Sequence, residues 1–517
     1  MSAADERTKL TVAMIVRNAA EALSESLESI RSIADEIVVL DTGSTDESKA
    51  IAQRSGALVF DHEWNDSFSE ARNACLQRAC GDWVLWLDAG ETLTAEDAVS
   101  LRAFLDTQAE PVKAYMLLVQ VPRAAGEIAG EQKGAVRLVP NHPALRFEGR
   151  VAECLLQSLV DHEIGLEALP QRIQRGVREH DPQRKKLRAK RNLQLADLEI
   201  AERGPMSHLL NCQGEALAVL GDRRGAAEKH RQALESADPQ STDMLDAYYG
   251  LLTALEGQGE ARQPQLTLCV EALETFPLDA QLLCAMGGYL QSQGQNQLAR
   301  RAYQTAWQYG QVNPEVWHLD RLACIAASCY STILQLAGED DEARSVLEQT
   351  LTDHPQSTRL RRQLIEVHIK QGARAEALAE CDRLPEDTPH REALRSAVRG
   401  ACLASQRNWI AARSYLDAAW QAGCRDLICM RWLVVSLLAL GEIDAAKPIV
   451  EAWRGVEPGS AEAEQFLSAM GEISTPETKS PSRKFRMDQG GASMPLPPPL
   501  PGIAMPQSSE VNDSASK

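Results

Sequence analysis

Three things are missing from this 517-residue chain: a surplus of basic residues, any Cys-x-x-Cys pair, and any long apolar run free of charge. The net charge of −19 excludes nucleic acid and anionic membrane as main partners, since both require a basic face. The twelve cysteines are scattered singly, and the pairs Cys75/Cys80, Cys324/Cys329 and Cys424/Cys429 have no histidine at zinc spacing. They read as reduced, mostly buried thiols rather than a disulfide framework. A membrane-spanning helix needs about 18 or more consecutive apolar residues, and none is expected. The amino terminus has no basic region followed by an apolar run, so no signal peptide is read and a cytoplasmic location is expected.

What is present begins as alternating strands and helices. Leu10 to Val16 is β-branched, and 19–33 has helical spacing through Leu23, Leu27 and Ile30. Strand 37–40, helix 46–54, strand 57–60, helix 67–79 and strand 83–87 follow, with Ser67 and Glu70 spaced as a capping box. Strand–helix–strand order at these lengths predicts parallel pairing in a layered α/β sheet. Two more strands, 115–121 and 135–139, flank a glycine-bearing turn near Gly126 and Gly130. Strands 37–40 and 83–87 both run into acids, Asp41 in the first case, Asp88 and Glu91 in the second. Carboxylates at the carboxyl ends of such strands sit where open α/β sheets bind ligands. A basic stretch over 171–191 reads as a solvated helical linker, with a phosphate-contacting role as the alternative.

From about 206 the pattern is helical and repetitive. A turn residue followed five positions later by alanine recurs at Gly338, Gly372, Arg407 and Gly441, spaced 34, 35 and 34 apart. That period, with small residues where paired helices touch (Gly214, Gly287, Ser331, Gly400), is the tetratricopeptide signature. Segment 246–280 reads as a degenerate repeat. Residues 474–517 are rich in serine and proline and too polar to order themselves, and Pro495–Pro501 favours polyproline II. The organisation is thus an α/β domain over 9–195, helical repeats over 206–470 and a disordered tail.

Met14-Ile15-Val16-Arg17-Asn18, Asp35 through Asp46, Glu63 through Asn73 and Gly81 through Glu91 together resemble family 2 glycosyltransferases. The resemblance is to the branch that carries a tetratricopeptide array after the catalytic domain. It implies a nucleotide-sugar-binding domain of GT-A type and sugar transfer from a nucleotide diphosphate with inversion, with Mg2+ or Mn2+ as cofactor. Under it, Asn18, Asp41, Gly43, Ser44, Arg72 and Asn73 bind the donor. Asp41 accepts a base N–H, and Arg72 offers a fork of donors to diphosphate oxygens. Asp88, helped by Glu91, holds a hard cation that the diphosphate completes. Within Arg146–Glu153, where the family usually ends in His-Glu, Glu153 is the candidate base and Asp88 its catalytic companion. Each residue also has a plainer reading: Asp41 and Asp46 as caps, Arg72 paired with an acid, Glu153 a solvated residue, and Trp64, Trp83 and Trp86 core packing.

The chain departs from the family pattern at four places. Ala19 stands for an acid, Ala89-Gly90 follows Asp88 where the family has Ala-Asp, Ala152 replaces the histidine, and Gln174 occupies a second histidine position. Two readings follow: an active transferase with a reduced metal site and a protein or peptide acceptor recruited by the repeats, or an impaired sugar-nucleotide-binding scaffold.

Overall fold

A computed structural model describes residues 8–123, 129–256, 263–386, 388–457 and 460–474. The first compact unit comprises residues up to 260 together with 312–320. It opens with β1 (Leu10–Val16), α1 (Ala20–Ile30), β2 (Glu36–Asp41), α2 (Ser48–Arg54), β3 (Leu58–Asp61), α3 (Phe68–Leu76) and β4 (Trp83–Trp86). β5 (Glu91–Leu93), α4 (Ala95–Thr107), β6 (Lys113–Val121), β7 (Glu131–Pro140), α5 (Leu156–Asp161) and β8 (Gly165–Arg175) follow. Helices α6 (Pro182–Arg203), α7 (Ser207–Leu220), α8 (Arg223–Ser236) and α9 (Thr242–Glu256) belong to the same unit, as does the short β9 (His318–Leu319).

The strands form one mixed sheet in the order β3-β2-β1-β4-β7-β6-β8-β5, with β9 beside β7. β3, β2, β1 and β4 are parallel, as their order with helices dictates. β7 joins β4 antiparallel, and β6 and β7 pair antiparallel with each other. Both faces of the parallel part are covered, so its strands are apolar on both sides. Leu23, Leu27 and Ile30 of α1 and Leu101 and Leu105 of α4 pack on Val12, Met14, Val39, Leu85 and Leu87. On the other face Ala71 and Cys75 of α3 pack on Ala13, Val38, Leu40, Val84 and Trp86. Ser67 caps α3, its Oγ accepting from the Glu70 amide at 3.2 Å, while the Glu70 carboxylate accepts from the Asn65 side chain at 2.6 Å in place of the reciprocal capping-box bond.

The basic stretch read as one helical linker is divided. Arg172 and Arg175 lie on β8, and the run from Arg184 to Arg191 lies on α6. β8 carries few β-branched residues and contains Pro170, which hid the alternation of buried Leu169, Gln171 and Ile173.

Among the described residues, the second unit comprises 263–311 and those from 321 to 474. Its helices run from α10 (Gln263–Thr275) through α11 (Ala280–Ser292), α12 (Asn296–Tyr309), α13 (Leu322–Leu336), α14 (Asp340–Asp353), α15 (Thr358–Lys370) and α16 (Arg374–Asp382). They continue as α17 (Arg391–Ser405), α18 (Trp409–Gln421), α19 (Leu427–Ala439), α20 (Ile443–Val456) and α21 (Ala461–Ser474). Each packs on the next, and α11, α13, α15, α17 and α19 also pack on one another in succession, the stacking of a helical solenoid. The small residues explain the closeness: a Cβ on Gly287 would lie 2.6 Å from Tyr303, and one on Gly400 would lie 2.7 Å from Leu416. The tail expected over 474–517, and Gly126, lie outside the described residues apart from Ser474. Among the described residues no helix is long and apolar enough to cross a membrane.

Candidate active site

The site is built at the carboxyl ends of β1, β2 and β4. Two loops lock together at the first two. Asn18, held at φ 51°, donates its amide to Ser44 Oγ at 2.9 Å, and its Oδ1 accepts from the Thr45 amide at 2.8 Å. Asp46 accepts from the Ala20 amide at the start of α1 and from Ser48, and these bonds hold its carboxyl below the ordinary aspartate range against the opposing effect of burial. Gly43 sits at φ 98°, a left-handed conformation that favours glycine.

Asp41, expected to accept a base N–H, is turned into its own loop. It is 1% exposed, and its Oδ1 accepts the amides of Gly43 and Ser44 at 3.0 and 2.8 Å, which fixes the turn. Its Oδ2 is buried without a hydrogen-bond partner, while Lys49 Nζ lies 3.7 Å from Oδ1. β1 lies between β2 and β4, so the strands bearing Asp41 and Asp88 are about 10 Å apart. Asn18, Asp41, Gly43 and Ser44 thus form one hydrogen-bonded rim, and Asp88 belongs to a different cluster.

That cluster centres on Arg72 of α3. Its Nε donates to Glu153 Oε1 at 2.7 Å and its Nη2 to Asp88 Oδ1 at 3.1 Å. Its guanidinium lies against Trp86 and Phe147, with centroids at 5.1 and 5.4 Å. Burial works against the Arg72 charge, but Asp88 and Glu153 outweigh it and raise its pKa above the usual arginine value. Burial likewise raises the Asp88 carboxyl, and Arg72, Arg137 and Arg175 more than offset it, holding Asp88 below its ordinary range. Asp88 keeps a side chain 34% exposed, the accessible acid of the group.

Asn73 is engaged within the protein. Its side-chain amide donates to the Phe147 carbonyl at 2.9 Å and accepts from the Phe147 amide at 2.8 Å, pinning the loop that delivers Glu153. Glu91 is also corrected. It is 2% exposed, with Oε1 accepting from Arg137 Nη2 at 2.8 Å and Arg175 Nε at 3.1 Å, and Oε2 from the Asp88 amide at 3.0 Å. Those bonds engage both of its oxygens. Arg137 was missed by the sequence reading, and Arg175 was read only as part of the basic stretch 171–191. The signal was a lone arginine between Val136 and Leu138 of a strand, a position at which a buried ion pair is the usual explanation.

The Mg2+ or Mn2+ expectation meets a poor fit. Asp88 has Oδ1 bonded to Arg72 and Oδ2 3.6 Å from Arg137, and Glu91 is fully engaged. Among the described residues no three His, Cys, Asp or Glu side chains group as a metal site.

Residues 11–109 match the sequence pattern of Glycosyl transferase family 2, and residues 334–399 match that of the tetratricopeptide repeat. The chain therefore combines a family 2 glycosyltransferase domain with tetratricopeptide repeats. It is 30% identical over 261 residues to a TPR repeat-containing protein of Synechococcus elongatus, covering 49% of this chain and 63% of that one. It is 34% identical over 93 residues to an uncharacterized glycosyltransferase of Rickettsia felis, covering 17% of this chain and 31% of the relative. The chain thus spans less than two thirds of both relatives. A solved glucosyl-3-phosphoglycerate synthase from Mycobacterium tuberculosis, in complex with Mn2+, UDP-glucose and phosphoglyceric acid, aligns at a TM-score of 0.19 and 24% identity, covering 22% of this chain and 43% of that one.

Proposed function

We propose that this chain transfers a sugar from a nucleotide-diphosphate donor to an acceptor with inversion, the acceptor being a protein or peptide recruited by the repeats. One observation carries the reading: Arg72 binds Asp88 and Glu153 at once, so a strand-end acid and a candidate base, the latter 81 residues from Arg72 in sequence, share one guanidinium. In the proposed step the acceptor hydroxyl oxygen bonds to the anomeric carbon and its proton passes to Glu153. The bond to the diphosphate breaks on the opposite face, and the nucleoside diphosphate leaves with the electron pair. Arg72 orients Glu153, Asp88 orients Arg72, and the rim of Asn18, Gly43, Ser44 and the Asp41 turn receives the nucleoside. The repeats suit peptide capture because stacked helix pairs leave a concave groove. The step runs through side chains alone, since the site offers a divalent cation a single accessible carboxylate.

The scaffold reading rests on a specific observation too: Asp88 and Glu91 are both held by arginines. Turnover separates the two. Purified protein incubated with a panel of nucleotide sugars and Mn2+ is expected to release or transfer sugar well above an Asp88→Ala control. Donor binding without turnover above that control would replace the transferase with the scaffold.

A further inference from the structure

Building on the transferase reading, we propose that an arginine cradle of Arg72, Arg137, Arg175 and Arg191 holds the donor's diphosphate, carrying the charge otherwise given to a divalent cation. With Arg188, five guanidiniums stand against four carboxylates, Asp88, Glu91, Glu153 and Glu179, which leaves one positive charge in surplus. In a chain of net charge −19 this is a local reversal of sign. It attracts an anion and repels a free dication.

Arg191 supplies the surplus. It projects from α6, its guanidinium stacks over Phe68 at 4.6 Å, and its hydrogen bonds go to the neighbouring Asn192 side chain. Phe68 lies one turn before Arg72 on α3, so this stacking sets Arg191 beside the cluster. Among the described residues Arg191 has no ion-pair partner, and burial and Arg188 work against its charge while Glu153 and Asp88 favour it. Arg137 adds an unused donor, for it is 6% exposed and its Nε is buried with no hydrogen-bond acceptor. Arg175 is braced by Trp317, whose ring centroid lies 5.5 Å away. Planar guanidiniums meet phosphate oxygens through paired N–H bonds, so such a cradle matches a diphosphate in shape as well as charge. The backbone also disfavours a second acid beside Asp88: Gly90 lies at φ 103°, where a side chain is strained, and its amide is fixed to Ser26 Oγ at 2.8 Å.

Titration calorimetry of the full chain with inorganic pyrophosphate, UDP and GDP, in EDTA and then in Mn2+, tests the proposal. Pyrophosphate and at least one nucleoside diphosphate should bind in EDTA, with Mn2+ changing Kd by no more than about threefold. Arg191→Ala should weaken binding on the order of tenfold or more, and Arg191→Lys should restore part of it. Because Arg191 is exposed, both variants should melt with the parent. Asp88→Asn, which removes a negative charge, should bind pyrophosphate at least as tightly as the parent, whereas a metal-held diphosphate would lose it. Binding that appears only with Mn2+, or an Arg191→Ala protein that binds like the parent, overturns the cradle and leaves the transferase reading standing. Binding in neither condition overturns both.

Discussion

Glu91→Gln is the substitution that most sharply separates a structural acid from a metal ligand. Its carboxylate lies 2.8 Å from Arg137 and 3.1 Å from Arg175 and is almost wholly buried. At an effective dielectric of about 20, each contact has a gross attraction of roughly 5–6 kcal/mol. Desolvation cancels much of this, and removing one partner of a buried pair costs about 3–5 kcal/mol in practice. Glutamine keeps an acceptor oxygen, and Arg137 still has Asp88 at 3.6 Å, so the lower end applies. We expect a loss of about 3 kcal/mol, read as faster hydrogen exchange of β4 and β7 amides and a lower urea midpoint for the sheet unit. Protection within about 0.5 kcal/mol of the parent, together with loss of Mn2+ binding, would refute the reasoning and make Glu91 a ligand.

Other outcomes follow from the same geometry. Asn73→Ala removes both hydrogen bonds to Phe147 and should cost about 2 kcal/mol, with exchange rising mainly in 145–154 and turnover falling as Glu153 loosens. Gly287→Ala sets a methyl 2.6 Å from Tyr303, a buried ring whose hydroxyl is bonded to Gln291 at 3.0 Å. The helix-propensity gain does not offset that clash, and thermal unfolding of the repeat unit should show a net loss of about 1–2 kcal/mol. His230 is pulled down to about 4 by burial. The unfolded chain therefore takes a proton near pH 6.5 that the folded imidazole refuses. Stability should be unaffected above that pH and fall by about 2 kcal/mol at pH 5. Urea unfolding at pH 7 and 5 checks this, and His230→Gln should flatten the difference.

The parallel half of the sheet was legible because β1, β2 and β4 are apolar runs bounded by turn residues, and covering both faces demands that composition. The repeats were legible because close helix contact leaves room only for glycine or another small residue at 287 and 400. β5, α4, α5 and β8 were not read, β8 because Pro170 and charged neighbours masked its short alternation. The site was half legible. Strand ends point to Asp41 and Asp88, but only the fold shows the first closing its own turn and the second bound to Arg72. The meeting of Arg72 with Glu153 depends on the Asn73–Phe147 clamp, a contact spanning 74 residues that local pattern cannot show. Glu91 was misread because an acid three residues after Asp88 looks like a ligand until Arg137 and Arg175 arrive from β7 and β8.

The central claim is one of place: a nucleoside diphosphate lies across the carboxyl ends of β1, β2 and β4. A crystal structure with a nucleoside diphosphate bound addresses it most directly. The account predicts phosphate oxygens within hydrogen-bond reach of Arg72 or Arg191 and the nucleoside against the Asn18–Ser44 rim. Phosphates bound elsewhere, with the Arg72–Glu153 pair untouched, would contradict it.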